Sequence, residues 1–253
     1  MTTPALLTAA HASTRRRGRR AGARYGGGVG GRSLAVLALA AASALCVAML
    51  EFRIRATGDS FYRFLVWNLM LAWIPLGFAA IAHARARTRA DAIVVGAGFL
   101  WLLFFPNAPY LLTDFIHLDD NTVAPVWYDA LMLSAFAWTA LLVGFASLYL
   151  MQIVVRRALG AAAAWICVVG ALGLASVGVY VGRFIGFNSW DALLHPRGVA
   201  RVVRAQLEAE SPKMAAALLA LTCFLFVGYA VVYAFAGLRL DLEREESQPA
   251  PRT

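Results

Sequence analysis

AIVVGAGFLWLLFFPNAPYLLTDFIH, residues 92–117, is the stretch whose reading decides the fold. Its unbroken apolar part, Ala92 to Phe105, covers 14 residues, whereas a helix rising about 1.5 Å per residue needs about 20 to cross roughly 30 Å of hydrocarbon. Pro106 then removes a helical hydrogen bond, and Pro109 suits the first turn of a new helix. The stretch therefore reads as a membrane helix kinked at Pro106 and continued by a short second helix, with Asn107 placed to cap it. On that second helix Tyr110, Asp114 and His117 are spaced by four and three residues, so they share one face, with Thr113 beside them. A polar stripe thus enters the edge of a bundle, where irregular backbone is tolerated only if protein or a water cavity surrounds it.

Five further apolar stretches flank this one: Ser33 to Leu50, Phe61 to Ala82, Val126 to Val155, Ala161 to Phe187 and Met214 to Leu238, with the third span itself running from Ala92 to about Leu112. The composition agrees: of 253 residues 61% are hydrophobic and 15% charged, and the mean hydropathy is +0.67, which excludes a water-soluble globule. Backbone polar groups cannot be left open to lipid, so the spans must be helices, and the expected fold is all-α, a polytopic six-helix bundle. The first span follows a run of arginines as a secretory signal would, but five more spans follow and no clear cleavage site closes it. No internal or inverted repeat is visible. Cys46, Cys167 and Cys223 lie inside apolar runs without paired spacing and read as packing residues, as do Ser134 and Ser147.

Residues 1–32 form a basic tail without the apolar content to fold alone, 33–238 hold the six spans, and 239–253 form a charged tail. Gly26 to Gly31 lacks the preceding strand and following Lys-Ser/Thr of a phosphate loop. Arg15 and Arg16 lack the apolar residues that follow a twin-arginine export signal. The net charge of +9 points to membrane orientation rather than to nucleic acid. With the N-terminus inside, 15 of the 23 Lys and Arg fall on the cytoplasmic side. The segment Pro106 to Pro125 carries no Lys or Arg but contains Asp114, Asp119 and Asp120, as an outer loop should. Both tails are expected in the cytoplasm of a cell whose cytoplasmic (inner) membrane holds the protein.

A second polar group closes the fifth span: Arg183, Asn188, Ser189, Trp190 and Asp191, followed by His195-Pro196. Topology puts it on the same outer face as the first. Arg183 lies about one turn inside the apolar limit, where a charge costs a few kcal/mol by insertion scales, so it snorkels or finds a carboxylate. Asp114, Asp129 and Asp191 are the candidates, while Ser189 and Asp191 also suit a capped turn. Asn68, midway along the second span, must be paired, either as helix glue or along a path to the outer site. Arg197 to Glu210 reads as an amphipathic surface helix, with Val199, Val202, Val203 and Leu207 on one side and Arg197, Arg201, Arg204 and Glu208 on the other. Ser211 and Pro212 cap and start the last span.

Trp67-Asn68-Leu69 with Ala72-Trp73-Ile74-Pro75, the run Pro106-Asn107-Ala108-Pro109-Tyr110 to Thr113-Asp114, and Arg183 to Asp191 together resemble the bacterial integral-membrane family named domain of unknown function 1361. The resemblance covers the chain from about the first span to the sixth and leaves out both tails. It implies a membrane protein and no particular catalysis.

Two functions of different class suit these residues, beside a structural or assembly subunit. In the first, an enzyme acts on a lipid or envelope precursor: Asp114 is the acid/base or ligand, His117 assists, Asn107 and Tyr110 position, and Arg183, with Asn188 and Asp191, holds an anionic group. In the second, a transporter uses the broken third helix as its solute site, with Asn68 and Asp114 along the path. Asp114 and His117 also offer a divalent metal two ligands on one face, with Asp119, Asp120 or His195 as a third, although no strong zinc spacing and no Gly-x-Ser-x-Gly elbow is present.

Overall fold

The computed structural model describes residues 27–86, 92–118, 123–186, 194, 195, 197, 198, 201, 202, 204, 205 and 211–247. Every described element is helical: α1 (Gly27–Thr57), a 3-10 turn (Phe61–Arg63), α2 (Phe64–Arg85), α3 (Ala92–Phe104), the single turn α4 (Asn107–Tyr110), a 3-10 segment (Leu111–His117), α5 (Val126–Leu159), α6 (Ala161–Tyr180), a π-helical turn (Val181–Ile185) and α7 (Ser211–Ser247). The chain divides into two compact units, residues 1–42 and 43–253. The first contributes residues 27–42 of α1; every contact described below lies within the second.

Among the described residues six helices are long and apolar enough to cross a membrane: Ser33–Thr57, Phe61–Arg85, Ala92–His117, Val126–Leu159, Ala161–Ile185 and Pro212–Gly237. This is a multi-pass, all-helical membrane fold. Phe99, Trp138, Ile166 and Phe235 are exposed, an outer surface that suits hydrocarbon and would be a large liability in water. Helix α5 is the centre, for 67% of its most apolar window is buried against 11% in the first and last spans. Its first half packs with Cys46, Leu50, Tyr62, Leu65 and Leu69, and its second half with Trp101, Phe105, Leu172 and Tyr229. The return from α5 to α6 takes one residue, Gly160, whose φ of 89° is open to glycine at little steric cost.

The kink expected at Pro106 is present: α3 stops at Phe104 and the chain re-forms one α-turn over Asn107–Tyr110. The continuation corrects the sequence reading, because Leu111–His117 is 3-10 rather than α. At about 2.0 Å rise per residue this stretched form helps a short apolar run complete its crossing. Small residues admit the broken segment to the core. A Cβ on Gly144 of α5 would stand 2.6 Å from the Ala108 Cβ, and one on Gly178 of α6 would stand 2.6 Å from the Pro106 Cγ. The break is thus wedged between two helices whose glycines allow close backbone approach.

Candidate polar site at the broken third helix

Arg183 is delivered by the π-helical turn that widens the end of α6. Its Nε donates to Thr113 Oγ1 at 2.8 Å, its Nη2 donates to Asp114 Oδ1 in a salt bridge, and its Nη1 lies 3.0 Å from His117 Nε2. The Tyr110 ring lies beneath the guanidinium, 4.4 Å from Cζ to centroid, a cation–π contact. Asn68 of α2 reaches the other Asp114 oxygen, Nδ2 to Oδ2, at 3.4 Å. Arginine has donors only, so its contact with His117 is a hydrogen bond when the ring is neutral and carries its proton on Nδ1. Asp114 is wholly buried, while 10% of the Arg183 side chain remains exposed.

The 3-10 geometry explains the grouping. At three residues per turn, i and i+3 eclipse, so Thr113 stands over Tyr110 and His117 over Asp114. Two short polar columns result, and Arg183 inserts between them. The α-helical reading placed the same residues on one face by a different period.

A second buried ion pair braces this segment. Arg53, near the end of α1, is 1% exposed; its Nε donates to Asp129 Oδ1 at 2.6 Å and its Nη2 to Asp129 Oδ2 at 3.1 Å. Its Nη1 donates to Asp59 Oδ2 at 2.8 Å. A two-oxygen fork of this kind is the strong form of an arginine–carboxylate pair. The Arg53 guanidinium lies over the Tyr62 ring at 4.7 Å, and the Tyr62 hydroxyl donates to the His117 carbonyl at 2.8 Å. Tyr62 therefore links the two arginine clusters.

Of the three aspartates proposed as partners for Arg183, Asp114 takes it, Asp129 belongs to Arg53, and Asp191 lies outside the described residues, as do Asn188, Ser189, Trp190, Asp119 and Asp120. Asn107 does not cap the new turn. Its Nδ2 donates backward to the Phe104 carbonyl at 2.8 Å, an acceptor left open because the Ala108 N–H turns to the Phe105 carbonyl at 3.1 Å. Ser147 is buried and accepts from Trp101 Nε1 at 3.1 Å, as a packing residue would, whereas Ser134 is exposed and donates to its own helix at Ala130. His195 is exposed, and the amphipathic segment 197–210 falls only partly among the described residues.

The residues present do not fit a resident metal: the guanidinium of Arg183 already stands against both Asp114 and His117 and would repel a second cation. Among the described residues no three His, Cys, Asp or Glu side chains gather as a ligand set. Arg53 and Tyr62 were missed from sequence. A signal existed, since Cys46, Leu50 and Arg53 repeat at four and three residues and all three are 1% exposed, marking Arg53 as part of a buried stripe.

The matching region contains the whole Arg183 cluster: the model of a family described as protein of unknown function (DUF1361) matches residues 67–227, from α2 into α7. The chain belongs to that family. Within this member, Asn68, Tyr110, Thr113, Asp114, His117 and Arg183 all fall inside the family region, as does Asp129, while Arg53 and Tyr62 precede it. No curated protein and no solved structure matches the chain.

Proposed function

We propose that this family member is an enzyme acting on the phosphate-bearing end of a lipid or envelope precursor at the extracytoplasmic face of the cytoplasmic membrane. One observation carries the reading: two helices leave α geometry where they meet, one as 3-10 and one as π, and both departures serve to place a part-buried arginine against the buried Asp114. Such departures concentrate at functional sites, and an ionisable group within a membrane span is expensive to keep without a use. Among the described residues, Thr113, His117 and Asp114 each engage one N–H of Arg183, and they leave one N–H on Nη1 and one on Nη2. In this reading those two are the donors offered to an anionic group. Asp114 is the fixed counter-charge that keeps the guanidinium in place, and Tyr110 supports its face. His117 is the proton-transfer group of this reading, taking a proton on Nε2 when the anion draws the Arg183 Nη1 away from it. Asn188 and Asp191 are proposed from the sequence alone as further substrate-binding residues. The outer placement rests on the arginine distribution, and both tails, 1–32 and 239–253, are cytoplasmic.

A purely structural role has its own supporting observation: among the described residues the hydrogen-bonding partners of Arg183 lie on one short segment, so the arginine also pins the broken helix to α6. The two readings separate in His117→Gln, whose amide oxygen can still accept from Arg183. In the enzyme reading this variant assembles like the native chain but fails to convert a phosphate-bearing lipid that the native protein converts, followed by mass spectrometry of a lipid extract incubated with each. If neither protein changes any lipid, and His117→Gln is as stable as the native chain, the structural role is the better account.

A further inference from the structure

At the other end of the bundle, a pocket of about 200 Å³ is lined by Tyr149, Gln152, Ile153, Arg156, Arg157 and Tyr233. It is remote from Arg183, because Arg156 lies 27 residues along α5 from Asp129, about 40 Å at helical rise. Its polar chemistry is one-sided. Among the described residues, two guanidinium groups, two phenols and one amide line it and no carboxylate does. Gln152 is buried, and its Oε1 accepts from the Tyr229 hydroxyl at 2.5 Å, which commits the oxygen and leaves the Nε2 group as a donor. The wall is stiff: Tyr233 packs on Tyr149 at 6.0 Å and on Trp165 at 5.1 Å between ring centroids. Arg156 and Arg157 are exposed at the mouth, where a basic pocket between membrane helices meets headgroups.

We infer that this pocket binds a phosphate-bearing anion, either the headgroup of an acidic phospholipid or a soluble phosphate. The arginines supply the charge and fork geometry, the buried amide and phenols fix orientation, and the aromatic wall meets the glycerol or acyl portion.

The test is native mass spectrometry of the full chain in mild detergent with equal phosphatidylglycerol and phosphatidylcholine of the same acyl length. Native protein is expected to retain a phosphatidylglycerol adduct at least fivefold over phosphatidylcholine. Arg156→Gln/Arg157→Gln should lose that preference, and Arg156→Lys/Arg157→Lys should keep most of it, which ties the loss to charge rather than to folding. In a second arm, inorganic phosphate is titrated against delipidated protein and thermal unfolding is followed. A stabilisation that needs Arg156 and Arg157, without phosphatidylglycerol retention, assigns the same site to a soluble anion. Equal retention of both lipids together with no arginine-dependent phosphate effect overturns the inference. None of these variants touches Arg183, so the outcome is independent of the function proposed for the other end.

Discussion

Removing the Arg53 guanidinium would leave Asp129, itself 1% exposed, as an uncompensated buried charge. Arg53→Gln is therefore expected to cost about 3–5 kcal/mol, read from denaturant unfolding in detergent. Arg53→Met/Asp129→Leu should cost clearly less than that single change, since it removes both charges and keeps the volume. Tyr62→Phe deletes only the hydroxyl that holds the His117 carbonyl, and about 1 kcal/mol is expected. Its more telling effect is loss of the second arginine cluster's brace on the first. At this scale the sequence disclosed chemistry better than partnership. Arg183 announced its need for a carboxylate by its depth in an apolar run, but Asp114 and Asp129 are both within the bundle, and only packing assigns one to each arginine. Arg53 escaped notice because it lies just beyond Leu50, where the first apolar run stops; the helix goes on to Thr57 and turns that arginine inward.

Among the elements, the broken third helix was legible where covalent constraint governs and illegible where context does. Pro106 has no N–H for the ladder and Pro109 suits a first helical turn, so together they mark a restart, whereas the single Pro75 stands inside α2, which runs on from Phe64 to Arg85. Whether the next residues wind as α or 3-10 depends on what pulls on their side chains, and here Thr113, Asp114 and His117 are all drawn to Arg183. The π turn at Val181–Ile185, ended by Gly186 at φ 80°, has no local sequence marker of its own beyond that glycine. The wedge itself is testable. Gly144→Ala and Gly178→Ala push a methyl to 2.6 Å from Ala108 and Pro106 respectively, and each is expected to destabilise by about 1–3 kcal/mol through overpacking. Gly77→Ala in α2 has open space around its Cβ and should be neutral or stabilising by up to about 1 kcal/mol. Thermal unfolding of the three variants side by side checks the contrast.

For the whole molecule, six spans follow from apolar length alone, because lipid demands satisfied backbone and about 20 apolar residues per crossing. Which helix sits in the middle was less apparent from sequence. α5 is no more apolar than its neighbours but carries small residues such as Ala137, Ala140, Gly144 and Ser147 on buried positions, which lets other helices close around it. Orientation is open to direct measurement. In a chain whose native cysteines are replaced by alanine, a cysteine at Arg157 is expected to react with an impermeant thiol reagent from the cytoplasmic side and one at Val123 from the outer side. The reverse pattern would invert the proposed topology and place the Arg183 cluster at the inner face.

The most direct measurement of the central claim, that Arg183 is held by Asp114 of the broken third helix, is a double-mutant cycle by denaturant unfolding in detergent. Arg183→Gln, Asp114→Asn and their combination are compared, with Asp129→Asn as the alternative partner. Each single change should cost about 3–5 kcal/mol, and the cost of Arg183→Gln should fall by about 2 kcal/mol or more once Asp114→Asn is present, while Asp129→Asn leaves it unchanged. Additivity with Asp114→Asn, or coupling to Asp129→Asn instead, would contradict the pairing and the site built on it.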